Sequence, residues 1–181
     1  MEELYLNIYY AGIGSRETPE NVLSVFRDIG ELMDTKYDFI LRSGHADGAD
    51  LAFEQGCDRV YGGKEIYLPW IGFNGSNSDL VVKNIEAFYI AQKYHPYWHN
   101  LKEGARKLQA RNSHQVLGKD LKTPSSFVLC WTKNGKGSGG TGQAIRIAKA
   151  YNIPVFDAGG YNSISDFHDS VMTYADTIKA R

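Results

Sequence analysis

The sequence predicts an α/β fold, with helices flanking a mostly parallel central sheet. Three times, a short apolar run is followed by a turn of glycines and small polar residues, and then by a segment whose apolar residues have helical spacing. The runs are short and apolar, as is typical of strands buried on both faces. Because the chain has 181 residues and 43% of them are hydrophobic, we expect residues 1–181 to form a single domain.

The first of these units occupies the start of the chain. It consists of a strand at residues 6–11, a turn at 12–16 and a helix that begins near residue 18. Thr18 is expected to cap this helix, because Pro19 suits the first helical position and a threonine hydroxyl can accept a backbone N–H.

The second unit leads into the centre of the chain. A strand at residues 39–43 passes through a turn to a helix at 49–57, and a short third strand is predicted at 65–68. Beyond it, residues 79–94 and 99–109 have approximate helical spacing and include no obvious strand. We expect this central part to cover one end of the sheet or to form a lid.

The third unit contains the longest glycine turn. A strand at residues 127–131 precedes a glycine-rich loop and a helix at 143–151, and a last strand at 154–156 precedes a terminal helix at 165–178. Strands that alternate with helices give right-handed crossovers and parallel pairing. All three glycine turns then lie at the carboxyl ends of strands, where such sheets bind ligands.

We therefore predict that the three turns act together as phosphate-binding loops. A helix N-terminus has unpaired N–H groups and the positive end of the helix dipole, and glycines let a ligand approach the backbone closely. The predicted binding residues are those of the turns and of a polar segment near residue 111: Gly12, Gly14, Ser15, Arg16, Ser43, Gly44, Gly48, Asp50, Arg111, Asn112, Ser138, Gly139, Gly140, Thr141 and Gly142.

Several candidates also have a purely structural interpretation. Arg16 can pair with a phosphate or form a salt bridge to a nearby glutamate. Arg111 and Asn112 can reach a ligand or cap a helix end. Trp131 can stack on a base or pack in the core. Glu54 can serve as a catalytic carboxylate or be merely solvated on the helix surface.

Composition and charge narrow the classes of function. The net charge of −1, from 20 Lys+Arg and 21 Asp+Glu, gives no bulk attraction to nucleic acid. We expect a cytoplasmic protein with no membrane partner, because neither a secretory leader nor a membrane-spanning apolar run is evident. Cys57 and Cys130 lack the spacing of a zinc site, so we predict buried thiols, no metal and no cofactor. The 13% aromatic content, with a cluster at 94–98, favours a homo-oligomer, most simply a dimer.

The three turns contain the motifs GIGSR at 12–16, RSG at 42–44 with GAD at 48–50, and GGTGQA at 139–144. Two further segments, ARNSHQVLG at 110–118 and FVLCWT at 127–132, accompany them. Together these motifs resemble those of the SLOG superfamily of Rossmann-like nucleotide-binding proteins, and especially its DprA-like members, which are often phage-encoded. The resemblance extends from residue 11 to residue 156 and implies a single Rossmann-like domain.

Three hypotheses for the function follow from the turns and the resemblance. The leading one is the binding of a nucleotide or a nucleotide-derived small molecule. The second is N-glycosidic hydrolysis of nucleoside monophosphates, as in the LOG-like phosphoribohydrolases of this superfamily. Ala144 aligns with their catalytic glutamate, so Asp50 or Glu54 would have to supply the catalytic carboxylate. The third, implied by the DprA-like resemblance, is a single-stranded DNA-binding recombination accessory.

Overall fold

The computed structural model describes residues 6–181, and its strands form one five-stranded sheet. The strands are β1 (Ile8–Gly12), β2 (Phe39–Ser43), β3 (Lys64–Ile66), β4 (Phe127–Cys130) and β5 (Val155–Asp157). Every neighbouring pair is parallel, in the order β3-β2-β1-β4-β5. The predicted α/β class is confirmed, and each predicted strand begins and ends within two residues of an observed one.

Within residues 6–181, six α-helices cover the two faces of the sheet. They are α1 (Glu20–Thr35), α2 (Ala49–Asp58), α3 (Ile85–Tyr94), α4 (Glu103–Leu117), α5 (Gly139–Ala150) and α6 (Ile164–Lys179). One apolar layer joins the sheet to α1, α2 and α6, and a second joins it to α3, α4 and α5. Helices on both faces are the arrangement that a parallel sheet requires.

The residues of β4 show why its sequence is apolar throughout. Phe127 and Leu129 belong to the layer beneath α1, α2 and α6, whereas Val128 and Cys130 belong to the opposite layer. Side chains alternate across a strand, and here both faces are covered. All four residues are therefore buried.

Helices α1 and α2 pack backbone against backbone. A Cβ atom added to Gly56 would lie 1.9 Å from the carbonyl oxygen of Arg27, and one added to Gly30 would lie 2.5 Å from that of Phe53. Neither position has room for a side chain. These two glycines set the distance between the helices and hence the position of the first turn of α2.

The structure differs from the sequence prediction at several helix ends. Thr18 is not the cap of α1, because Pro19 occupies the cap position and the Thr18 hydroxyl donates to the carbonyl oxygen of Ser15 at 2.6 Å. Residues 80–81 are not helical, since Val81 forms a parallel bridge with Leu68 beyond β3. α4 extends eight residues past the predicted end at Gln109, to Leu117.

The second half of α4 escaped prediction because it lacks an apolar stripe. All eight residues from 110 to 117 are buried, although most of them are polar. The helix contacts α3, α5 and the strands β1 and β2, so protein surrounds this half on several sides. Periodicity identifies only helices that bury one face.

Other sequence predictions concern membranes, thiols and association. No helix within residues 6–181 combines the length and apolar character needed to cross a bilayer. Cys57 and Cys130 are free thiols, and both are buried. In the aromatic cluster, Trp98 is buried and Tyr97 is 68% exposed. The dimer stays a prediction. The single domain over residues 1–181 also stays a prediction, because residues 1–5 lie outside the described residues.

Candidate functional site

A cleft of about 440 Å³ opens at the carboxyl ends of β1 and β4. The strand order reverses between these two strands, and doubly wound sheets bind ligands at that point. The cleft walls come from the turn after β1, the start of α2, the face of α4 and the first turn of α5. Ten predicted binding residues line it: Gly14, Ser15, Arg16, Asp50, Arg111, Asn112, Ser138, Gly139, Gly140 and Thr141.

The first turn of α5 faces open space. Ser138 is its cap residue, yet the serine side chain accepts no hydrogen bond from the helix. A Cβ atom added to Gly139 would have no neighbour within 4 Å, and one added to Gly140 would lie 3.9 Å from its nearest neighbour, the Gln109 side chain. The positive end of the helix dipole is therefore accessible from the cleft.

Arg16 lines the same cleft as this helix end. Its side chain is exposed and makes no salt bridge or side-chain hydrogen bond within residues 6–181. The nearby Glu20 pairs instead with Arg27 at 2.8 Å. The Arg16 guanidinium is thus available to a ligand.

Arg111 is the second cation of the cleft, and it is buried. Its Nη1 donates to the carbonyl oxygen of Gly44 at 2.6 Å. Burial lowers the pKa of Arg111, the carboxylate of Asp50 raises it, and the charge of Arg16 lowers it again. Arg16 and Arg111 both line the cleft, and an anion bound between them would relieve the repulsion of their charges.

Asp50 is the buried carboxylate of the cleft. Its Oδ1 accepts a hydrogen bond from the backbone N–H of Gly14 at 3.1 Å, and its Oδ2 accepts one from Gln115 at 3.3 Å. Burial raises the pKa of Asp50, whereas Arg111 and these donors oppose the rise. Asp50 thus fixes the turn after β1 and also offsets the charge of Arg111.

Four predicted binding glycines lie beside the cleft but not in its wall. They are Gly12, Gly44, Gly48 and Gly142. At each of them an added Cβ atom would come within 2.6 Å of another protein atom. At Gly44 that atom is Nη1 of Arg111, and at Gly142 it is the carbonyl oxygen of Gly137. At these four positions, the absence of a side chain makes room for neighbouring protein atoms and not for a ligand.

Ser43 and Glu54 also lie away from the cleft. Ser43 is completely buried, and its hydroxyl donates to the carbonyl oxygen of Gly12 at 2.6 Å. Glu54 lies 2.6 Å from Nδ1 of His45, accepts a hydrogen bond from Lys64 at 2.8 Å, and borders a different cavity. The alternative of a solvated Glu54 is wrong, because the residue is 7% exposed. Of the two proposed catalytic carboxylates, the structure brings only Asp50 to the cleft.

Helix α4 supplies cleft residues that the sequence prediction missed. Leu108, Gln109 and Gln115 line the cleft together with Arg111 and Asn112. Residues 108, 111, 112 and 115 have the spacing of one helix face, but a predicted helix end at 109 concealed it. The Asn112 amide donates to the carbonyl oxygen of Gly140 at 3.2 Å, which ties α4 to the first turn of α5.

The fold and the position of the cleft define a Rossmann-like domain. Neither a family model nor a curated protein matches the sequence. A solved structure of DNA processing protein A from Helicobacter pylori, reported for its single-stranded DNA binding mode, matches with a TM-score of 0.58 and 16% identity. The match covers 92% of this chain and 80% of that chain. At this identity it shows a shared fold, which agrees with the DprA-like part of the resemblance.

Proposed function

We propose that this chain binds single-stranded DNA and holds a backbone phosphate in the cleft. The observation that carries the proposal is the uncapped N-terminus of α5, which opens onto the same space as the unpaired Arg16. A phosphate placed there would accept hydrogen bonds from the N–H groups of the first turn and a two-pronged contact from the guanidinium.

The groups that would attract an anion in the cleft are Arg16 and the N-terminus of α5. The lining holds two arginines, Arg16 and Arg111, and two carboxylates, Glu17 and Asp50, and Asp50 offsets the buried Arg111. Because the chain as a whole has a net charge of −1, binding must depend on this local arrangement. We therefore expect few phosphate contacts and a shallow dependence of affinity on salt.

A single strand suits the cleft better than a duplex does. A volume of about 440 Å³ admits a sugar-phosphate unit, but not two paired strands. The shared fold with DNA processing protein A, whose solved structure was reported for its single-stranded DNA binding mode, supports the same choice.

The test is fluorescence anisotropy with a labelled oligothymidine. Arg16→Ala should weaken binding about 10- to 150-fold, the range for hydrogen bonds to charged groups. Gly140→Asp should weaken it as well, since the new carboxylate would repel the phosphate at a position with room for a side chain. Arg59→Ala is the matched control, because it removes a charge at the opposite end of α2. Parent-like binding by both cleft variants would contradict the proposal.

A mononucleotide, either bound or hydrolysed at its N-glycosidic bond, is the second candidate. The observation in its favour is the buried carboxylate of Asp50 in the cleft, whose pKa is raised by burial. Incubation with nucleoside monophosphates, followed by chromatography, separates these outcomes. Release of the free base that is lost in Asp50→Asn would indicate hydrolysis, and a retained intact nucleotide would indicate binding.

A further inference from the structure

A second cavity of about 630 Å³ opens next to the cleft, at the carboxyl ends of β4 and β5. It is lined by Glu17, Trp131, Lys133, Asn134 and Gly159. Glu17 also lines the cleft, so the two cavities share a wall. The backbone of Trp131 lies beside the turn after β1, since a Cβ atom added to Gly14 would be 3.3 Å from its nitrogen. A ligand in the cleft therefore has this cavity as its neighbour.

The loop after β4 is held in place by the protein itself. The backbone N–H of Thr132 donates to Asp157 at 2.8 Å, and the threonine hydroxyl donates to the same carboxylate. That hydroxyl also accepts the N–H of Gly137 at 2.9 Å. Gly135 packs on Gly160, where an added Cβ atom would lie 2.5 Å from its Cα. Such a loop loses little conformational freedom when a ligand binds.

The side chains in this cavity offer the contacts that a nucleobase uses. Trp131 is half-buried: it packs against the core layer beneath α1, α2 and α6 and also lines the cavity, where an aromatic ring can stack on a base. Asn134 is exposed, and its amide can both donate to and accept from the edge of an unpaired base. Lys133 and Glu17 bring opposite charges to the lining. The cavity is thus neutral overall, which favours an uncharged base over a second phosphate.

We propose that this second cavity binds a nucleobase of the ligand whose phosphate occupies the cleft. Trp131 would stack on the base and Asn134 would pair with its edge. The inference rests on the proposed function, because the base belongs to the strand held through Arg16 and the first turn of α5.

The test compares an oligothymidine with an abasic strand that has the same length and the same number of phosphates. The parent should bind the thymine-bearing strand about tenfold more tightly, since stacking on an aromatic residue contributes that much per base. Trp131→Leu should lose most of this preference yet bind the abasic strand as the parent does. Asn134→Gly should lose part of it; glycine is chosen because Asn134 has a φ of +57°. Tyr89→Leu, at a 57% exposed aromatic outside both cavities, is the control.

Each alternative result has a distinct meaning. If Trp131→Leu keeps the preference of the parent, or if it weakens both strands equally, the inference is overturned. If Trp131→Leu fails to fold, the test rests on Asn134→Gly, which replaces an exposed residue. An unchanged preference of that variant for the thymine-bearing strand overturns the inference. If the parent binds both strands equally well, the base-binding inference is overturned, whereas phosphate binding in the cleft is retained. If the parent binds neither strand, the proposed function itself has failed.

Discussion

Gly44→Ala should displace the buried arginine of the cleft. The added Cβ atom would lie 2.2 Å from Nη1 of Arg111 and 2.7 Å from Nε2 of Gln115. Nonbonded carbon contacts are optimal at about 3.5–4.0 Å, so the guanidinium would have to move by more than about 1 Å. That movement breaks its 2.6 Å hydrogen bond to the Gly44 carbonyl oxygen.

The expected change in the free energy of unfolding is the sum of two losses and one gain. A hydrogen bond to a charged group contributes about 1.5–3 kcal/mol, and overpacking costs about 1–3 kcal/mol. Alanine restricts the unfolded chain, which returns about 0.4–1 kcal/mol. We therefore expect the free energy of unfolding to fall by about 1.5–5.5 kcal/mol. Affinity for oligothymidine should fall too, because Arg111 would no longer be fixed in the cleft wall.

Urea denaturation and anisotropy measure the two effects on the same variant. The control is Gly104→Ala, at the start of α4, where the nearest neighbour of an added Cβ atom is Trp70 at 3.9 Å. It should leave both quantities unchanged or raise stability slightly. A free energy of unfolding for Gly44→Ala within about 0.5 kcal/mol of the parent, the usual scatter of neutral substitutions, would refute the argument.

Two further predictions concern packing and pH. Gly56→Ala should force α1 and α2 apart, because its Cβ atom would lie 1.9 Å from a carbonyl oxygen. The free energy of unfolding, measured by urea denaturation, should fall by about 1–3 kcal/mol. A urea midpoint equal to that of Gly104→Ala would contradict this prediction. Burial lowers the pKa of His114 below its ordinary value of 6.5. The unfolded chain then takes up this proton first, so stability should fall as the pH drops below 6.5, by at most about 1.4 kcal/mol per pH unit. His114→Asn should flatten that fall and the exposed His99→Asn should not; matching pH profiles for the parent and His114→Asn would count against a buried neutral imidazole.

The sequence by itself determined the strands, their parallel pairing and the end of the sheet where a ligand would bind. Buried parallel strands are continuous apolar runs, and a turn that precedes a helix is rich in glycine, so both signals are local. Residues 39–43 were predicted as a strand with the observed ends. Arg16 and Gly140 could be assigned to the cleft because each belongs to a glycine turn between the carboxyl end of a strand and the following helix.

Only the tertiary structure decided which glycines face a ligand and which carboxylate enters the cleft. A missing side chain looks the same in sequence whether it leaves space for a ligand, as at Gly140, or for a neighbouring arginine, as at Gly44. Asp50 and Glu54 lie one helical turn apart, yet Asp50 borders the cleft and Glu54 borders the cavity of His45 and Lys64. These outcomes depend on which distant residues pack alongside, and contacts between residues far apart in the chain leave no local pattern to read.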